Sequence, residues 1–215
     1  MTVAIACKAE TRPYLARMIC FAVGMFFAGV IPYEPVSADP TDARQLKKGV
    51  FLVATQQLTG SMFERTVVVM TDYDDGGAIG LIINRPTTFE LGRRLPELAS
   101  VADNAAMLHF GGPVVPQAVF LLTRTPREHG TEHRIIADVS LAAGRTALIH
   151  ILSNASPDDS VRAYSGYSAW VPGQLEVEIS RGDWLAIQAD TAIIFAAAPR
   201  KLWVDLIKRW SGQWT

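Results

Sequence analysis

The chain reads as an α+β protein, one mainly antiparallel sheet with helices packed on it. Three observations lead there. Short apolar or β-branched runs outnumber helix-period stretches along 49–215, and the helical stretches are interspersed among hairpins. Two β-branched runs, 66–71 and 78–84, flank Asp72-Tyr73-Asp74-Asp75-Gly76-Gly77, the pattern of a hairpin. Near the C-terminal end, Pro199 opens a helix with a one-sided apolar stripe of Trp203, Leu206, Ile207 and Trp210. Lys201, Asp205, Lys208 and Arg209 lie largely off that stripe.

Residues 1–38 have the three-part layout of a secretory signal peptide. Lys8, Arg12 and Arg17 make a positive region, 18–31 is uncharged and apolar, Pro32 and Pro35 break it, and Val36-Ser37-Ala38 supplies small residues for cleavage. A membrane anchor and a buried core helix are the alternatives. The apolar run has 14 residues, short of the roughly 20 that cross a bilayer core. Gly24 and Gly29 lower its helix propensity, and no positive cluster follows at once. Cys20 lies inside the run without a lipobox before it, which removes a lipoprotein reading. The expected location is periplasmic or secreted.

Both cysteines, Cys7 and Cys20, fall in this leader, so residues 39–215 offer no disulfide, thiol nucleophile or thiolate metal site. Losing the leader's three basic and two acidic residues moves the formal net charge from −1 to −2. Such a balance gives no electrostatic footprint for nucleic acid or anionic lipid. The positive mean hydropathy, +0.18, partly reflects the leader and implies no stable membrane insertion once it is cleaved.

Residues 39–48 are polar, end in Lys47-Lys48 and read as a flexible connecting segment. Residues 49–215 then form a single domain, long enough for one sizeable core. Its first strand is 50–54, followed by a polar loop over 56–64. Both runs of the 66–84 hairpin are apolar on both faces, which places them in the middle of a covered sheet. Gly80 inside the second run implies a bulge or the close approach of another backbone. A short helix over 89–99 is interrupted and restarted at Pro96. Strands at 107–110 and 117–122 are joined through Gly111-Gly112-Pro113. A charged loop, 125–133, precedes a strand at 134–139. Apolar residues at 148, 149 and 152 mark a helix over 145–152, which Ser153 to Asp159 breaks. A strand at 161–170 leads to a helix over 172–179 with Pro172 in its first turn. A strand at 184–188 follows, and 191–197 is ambiguous between strand and helix.

Chemistry is sparsely signalled. Counted from Asp72, Gly77 satisfies the sixth position of a calcium loop, but the twelfth is Ile83 where a bidentate Glu is needed. His129 and His133 have a helical zinc spacing, yet Gly130 lies between them in a loop without a third ligand. Neither G-x-S-x-G nor S-x-x-K occurs, and Ser165-Gly166-Tyr167-Ser168 has no elbow pattern. His109 and His150 sit in apolar sequence and read as core histidines. Walker A and G-x-G-x-x-G are absent. No catalytic residue, metal ligand or cofactor follows from these residues. One constellation stands out: Arg65, Asn84 and Arg85 lie at the end of the hairpin opposite its turn and can converge on a polar patch. Gly111 and Gly112 can present backbone N–H groups to an anion. Plain structural hydrogen bonding and a plain turn are the alternatives.

Four segments in order carry a resemblance: Phe63-Glu64-Arg65-Thr66-Val67-Val68, 77–86 (GAIGLIINRP), Gly111-Gly112-Pro113-Val114, and 166–179 (GYSAWVPGQLEVEI) running on to Asp183-Trp184-Leu185. Together they resemble the YqgE/AlgH family over about 49–210. The resemblance implies a bent sheet closing into a pseudo-barrel, and no established reaction, cofactor or catalytic residue. Members of that family typically begin at the first strand, lack a leader and look cytoplasmic, so the leader is a departure. Thr55-Gln56 and Gly60 stand where the family usually has a Met-Pro pair and an acidic residue.

Three functions compete. The first is an exported, non-catalytic binding or accessory protein whose partner is a protein or small ligand. The second is an envelope hydrolase, which needs a nucleophile and base to meet in space. The third is a cytoplasmic transcriptional regulator, as one family member's name suggests; the charge, the leader and the lack of a helix-turn-helix pattern oppose it.

Overall fold

The computed structural model describes residues 46–98, 107–125 and 132–211. The leader, residues 39–45, Ala99, most of the charged loop and His129 lie outside them.

The first hairpin forms as its pattern requires. β1 (Val50–Ala54), β2 (Val67–Asp74) and β3 (Gly77–Ile82) are antiparallel neighbours, and β1 and β2 are almost wholly buried. The turn is tighter than the sequence pattern implies. Asp74 pairs with Gly77, leaving only Asp75 and Gly76 between, and Asp74 Oδ1 accepts from Gly76 N at 2.8 Å. The irregularity expected at Gly80 is present in both senses. Met70 pairs with Gly80 and Asp72 with Ile79, so Thr71 is an extra residue on β2. A Cβ on Gly80 would sit 2.4 Å from Val68 Cγ1 and 2.9 Å from the Val69 oxygen.

β4 (Pro86–Glu90) leads into a single-turn helix α1 (Leu91–Arg94) and a 3-10 turn at Pro96–Leu98, the interrupted helix of the 89–99 segment. β5 (Met107–Phe110) and β6 (Val114–Arg124) follow, the latter longer than its apolar run. The predicted strand at 134–139 is instead a hairpin, β7 (His133–Ile136) and β8 (Val139–Ala143). Ala137 takes φ 39° in its turn. A non-glycine residue there leaves no glycine signal in the sequence.

α2 (Arg145–Asn154) and the long β9 (Ser160–Trp170) come next. α3 (Gln174–Ser180) begins after Pro172, with Gly173 at φ 79° as its N-cap, so the proline precedes the helix rather than occupying its first turn. After β10 (Trp184–Gln188), the ambiguous segment is a short helix, α4 (Thr191–Ile194), capped by Asp190 accepting from Ala192 N at 2.9 Å. α5 (Leu202–Ser211) follows a 3-10 turn at Pro199–Lys201 and buries Leu202 and Leu206.

All ten strands belong to one sheet ordered β10-β1-β2-β3-β9-β6-β8-β7, with β5 on β9 and β4 on β5. The β5–β9 pair is parallel; the others are antiparallel. The hydrogen-bonded path is not closed, since it ends on β10 and β7. It is nonetheless strongly bent: Ile136 of β7 lies against Gly49, just before β1, where a Cβ would fall 1.8 Å from Ile136 Cγ2.

The two faces carry separate cores. On one, Leu52, Val68 and Ile82 pack with Trp170, Leu175, Ile179 and Trp184, and Leu46 joins them. By register Phe51, Val53, Val67, Val69 and Leu81 point the other way, and all are buried. A further cluster joins Leu91 and Leu98 to Leu108, Leu121 and Ala163, with Leu148 and Ile151 of α2. Each fully buried side chain of this size contributes about 1.5–3 kcal/mol.

Candidate functional site

Asn84 and Arg85 both bind the backbone of the turn that contains Arg65, while the Arg65 side chain points elsewhere. Asn84 is buried; its Oδ1 accepts from Val67 N at 2.9 Å and its Nδ2 donates to the Arg65 oxygen at 2.8 Å. Arg85 Nη2 donates to the Glu64 oxygen at 3.0 Å, and burial lowers its pKa against the opposing pull of Glu64. Arg65 itself turns the chain at φ 54° and sends an exposed guanidinium over Trp203, 5.6 Å from the ring centre. The cluster fastens the 63–66 turn to the corner between β3 and β4. Phe110 N donates to the Arg85 oxygen at 2.8 Å, tying the same corner to β5.

Gly111 and Gly112 lie flat across β9. The Gly111 N–H donates to the Ser165 oxygen at 2.9 Å, so that group is used within the sheet. A Cβ would fall 2.4 Å from the Gly166 oxygen at Gly111 and 2.2 Å from the Tyr167 carbonyl carbon at Gly112. Gly166 makes the reciprocal allowance, with a would-be Cβ 2.3 Å from the Gly112 oxygen and 3.1 Å from Pro116 Cα. These glycines let the β5–β6 connection cross β9 at backbone contact distance.

That crossing builds a feature the sequence analysis did not single out. Val114 pairs with Tyr167 and Val119 with Ser165, so 115–118 bulge out of β6 opposite Gly166 alone. Val115 takes φ 43° directly before Pro116. A β-branched residue at positive φ is a conformational outlier, with a cost of about 1–3 kcal/mol. On the opposite side β4 pairs with β5 only at Pro86–His109 and Glu90–Met107, with a register shift between. Between bulge and shifted strand lies a groove of about 350 Å³. Its apolar surface comes from Phe89, Leu108, Phe110 and Pro116. Two hydroxyls, Thr87 and Ser165, and three charged side chains, Glu90, Arg93 and Arg94, complete it. Phe89 is 69% exposed, high for a side chain of its size. Arg93 Nε lies 3.2 Å from Glu90 Oε2, and Arg94 Nη2 reaches the Pro116 oxygen at 3.4 Å. Thr87 Oγ1 donates to the Leu108 oxygen at 2.7 Å and accepts from Phe89 N at 3.1 Å, while Ser165 Oγ donates to the Pro116 oxygen. The one hint in the sequence was Val115-Pro116 at a strand edge, where a proline marks an edge or bulge.

The described histidines are not on this groove. His109 is buried as expected, but in register with Tyr164, on the opposite face from Leu108 and Phe110. The two rings lie 5.4 Å apart, and neither His109 Nδ1 nor the Tyr164 hydroxyl has a hydrogen-bond partner among the described residues. Burial, then the nearby Arg162 charge, lowers the His109 pKa to about 4. Burial raises that of Tyr164. His150 is exposed on α2, which corrects the core reading: Ala147, Leu148, Ile151 and Leu152 form the buried face and position 150 falls off it. His133 is exposed on β7 with its Nε2 3.5 Å from Lys48 Nζ. Among the described residues no group of three or more His, Cys, Asp or Glu is placed to hold a metal ion. None of the described helices is long and apolar enough to cross a membrane.

The long motif ending the resemblance to the YqgE/AlgH family builds a corner. Trp170 and Trp184 both donate their indole N–H to Glu178 Oε2 at 2.8 Å, and Gln174 Nε2 donates to Oε1 at 2.8 Å. Phe63 stacks on Trp170 and meets Trp184 edge-on, with centroids 6.2 and 5.5 Å apart. The Tyr73 hydroxyl donates to Glu176 at 2.6 Å; burial and that carboxylate push its pKa up to about 12.

The AlgH-like family model matches residues 51–215. Among similar proteins, a UPF0301 protein of Methylococcus capsulatus is 36% identical over 163 residues, covering 74% of this chain and 89% of that one. A UPF0301 protein of Shewanella frigidimarina is 36% identical over 166 residues, 73% of this chain and 87% of that one. The solution structure of the AlgH protein from Pseudomonas aeruginosa superposes with a TM-score of 0.63 at 26% identity, covering 81% of this chain and 91% of that one. A Corynebacterium diphtheriae protein has the same fold, with a TM-score of 0.65 at 21% identity over 81% of this chain and 94% of that one. Matched along the whole span from the first strand onward, the chain belongs to the AlgH-like family.

Proposed function

We propose that this protein is an exported, non-catalytic binding protein that takes a small ligand in the groove between β4, α1 and the bulge of β6. The observation that carries this reading is the composition of the groove. It combines four apolar side chains with a few convergent polar and charged ones in about 350 Å³, the make-up and size of a small-molecule site. Among the described residues the lining has no histidine, lysine or cysteine, and its serine already donates to a backbone oxygen, which favours binding over acyl-transfer chemistry. The strained Val115 next to the groove supports the same reading, because backbone strain gathers at ligand clamps. Export is supported by the leader, and the match to the AlgH-like family begins only at residue 51.

Two measurements test it. Backbone amide shifts mapped during titration with a fragment library should move at Thr87, Phe89, Phe110 and Ser165; a library that leaves all four unmoved refutes the groove. Fractionation with N-terminal sequencing of the native protein should find it outside the cytoplasm, beginning at Asp39. A full-length cytoplasmic form refutes export.

A further inference from the structure

We infer that the groove selects a small organic monoanion: a carboxylate with an aryl or medium acyl body and a hydrogen-bond donor that can reach Ser165. This rests on the binding reading above. Charge sets the first part. Two guanidinium groups and one carboxylate line the groove, and the carboxylate is already paired with Arg93. Among the described residues one positive charge is left over, that of Arg94, whose Nη2 reaches a backbone oxygen through a long bond. A planar guanidinium matches a carboxylate as a two-pronged donor. A doubly charged ligand would bring a second negative charge that this single surplus positive charge does not match.

The apolar side chains set the second part. Phe89, Leu108, Phe110 and Pro116 offer faces for a ring or short chain and nothing to an inorganic anion. The hydroxyls set the third. Thr87 and Ser165 have both committed their protons to backbone oxygens, and Thr87 Oγ1 also accepts from Phe89 N. Ser165 Oγ therefore meets a ligand as an acceptor, which welcomes a hydroxyl or amide N–H and repels a second carboxylate.

The test uses the native protein purified from cells, with amide-shift mapping and calorimetry. The probes are hexanoate, phenylacetate and 4-hydroxyphenylacetate, with 4-hydroxyphenylacetamide as the neutral counterpart, tyramine as the cation and inorganic phosphate as the bare anion. The carboxylates should shift the Thr87, Phe110 and Ser165 amides, the hydroxylated one binding tightest; amide, amine and phosphate should bind about 10-fold more weakly or not at all. Arg94→Gln should remove the preference for carboxylate over amide while the melting temperature stays unchanged. Ser165→Ala should remove only the advantage of the phenolic hydroxyl. An amide bound as tightly as its carboxylate, or carboxylates that leave the groove unmoved at millimolar concentration, overturns the ligand class. In those cases the binding reading survives only if other fragments still shift the groove; if none does, both fall.

Discussion

Replacing Glu178 with Ala should destabilise the protein by about 3 kcal/mol without touching the groove. The carboxylate accepts from two indole N–H groups, both at 2.8 Å, on tryptophans only 4% and 1% exposed. Each buried donor stripped of its acceptor costs about 1–3 kcal/mol. Two such losses span about 2–6 kcal/mol, and water lowers the sum because Glu178 is itself half-buried and solvent can enter behind it. The Gln174 bond to Oε1 is exposed and adds little. Glu178→Gln keeps one oxygen for both indoles and loses the charge assistance, so it should cost about 1 kcal/mol. The assay is urea unfolding followed by tryptophan fluorescence, comparing midpoints at constant slope. Near-UV circular dichroism should also weaken as the Phe63–Trp170–Trp184 cluster loosens. A Glu178→Ala midpoint within about 0.5 kcal/mol of the parent would refute the reasoning, because the indoles would then have been satisfied without the carboxylate.

Acid should weaken the fold through His109. Its pKa is about 4 in the folded protein against 6.5 when free, so the unfolded chain takes up a proton that the folded ring refuses. The linked stability is whole above pH 6.5 and falls as pH drops from 6.5 towards 4, by about 3 kcal/mol in total. His109→Phe should flatten that slope in pH-dependent unfolding, and an unchanged slope would remove His109 as its source. Asn84→Ala leaves Val67 N and the Arg65 oxygen unpaired at a buried site and should cost about 2–4 kcal/mol. Arg65→Ala, exposed with a 3.8 Å ion pair, should cost less than about 1 kcal/mol in the same unfolding experiment. Equal effects for the two would contradict their separate roles. Gly112→Ala places a methyl 2.2 Å from the Tyr167 carbonyl carbon, and its soluble yield and melting temperature should both fall; a parent-like melting temperature would show that β9 can yield there.

What could be read from the residues follows the physics of each signal. The β2–β3 hairpin is written in a local code, two β-branched runs around Asp75-Gly76, and the bulge was announced by Gly80. The β7–β8 hairpin turns at Ala137-Asp138 without a glycine, so its two short strands read as one. His150 could have been placed correctly: the buried positions 147, 148, 151 and 152 leave 150 outside the stripe. That Asn84 and Arg85 lie against the turn at Arg65 follows from hairpin geometry, which brings one end of two strands together; the direction of the Arg65 guanidinium does not. The groove was not legible, because it gathers β4, α1, β5, the bulge of β6 and the middle of β9. No periodicity within one segment encodes a surface shared by five.

The position of the groove follows from where the sheet fails to be regular. Through β1, β2 and β3 the ladder is nearly continuous, both faces are covered, and no backbone is left over to line a cavity. At β9 the chain turns at Gly166, with parallel β5 paired before it and antiparallel β3 after it. The 115–118 bulge of β6 lies opposite this turn. On the other side Thr87, Thr88 and Phe89 lie between the only two pairings of β4 with β5. The Asn84–Arg85 clamp and the bond from Arg200 to the Pro86 oxygen at 3.1 Å hold the beginning of that wall. Its far end passes into the single turn of α1, which carries both arginines. The residues picked out from the sequence therefore lie beside the groove and not on its surface, with Asn84 and Arg85 fastening the corner that leads into β4. The arginines that give it charge stand on the one helical wall, which Leu91 pins into the core.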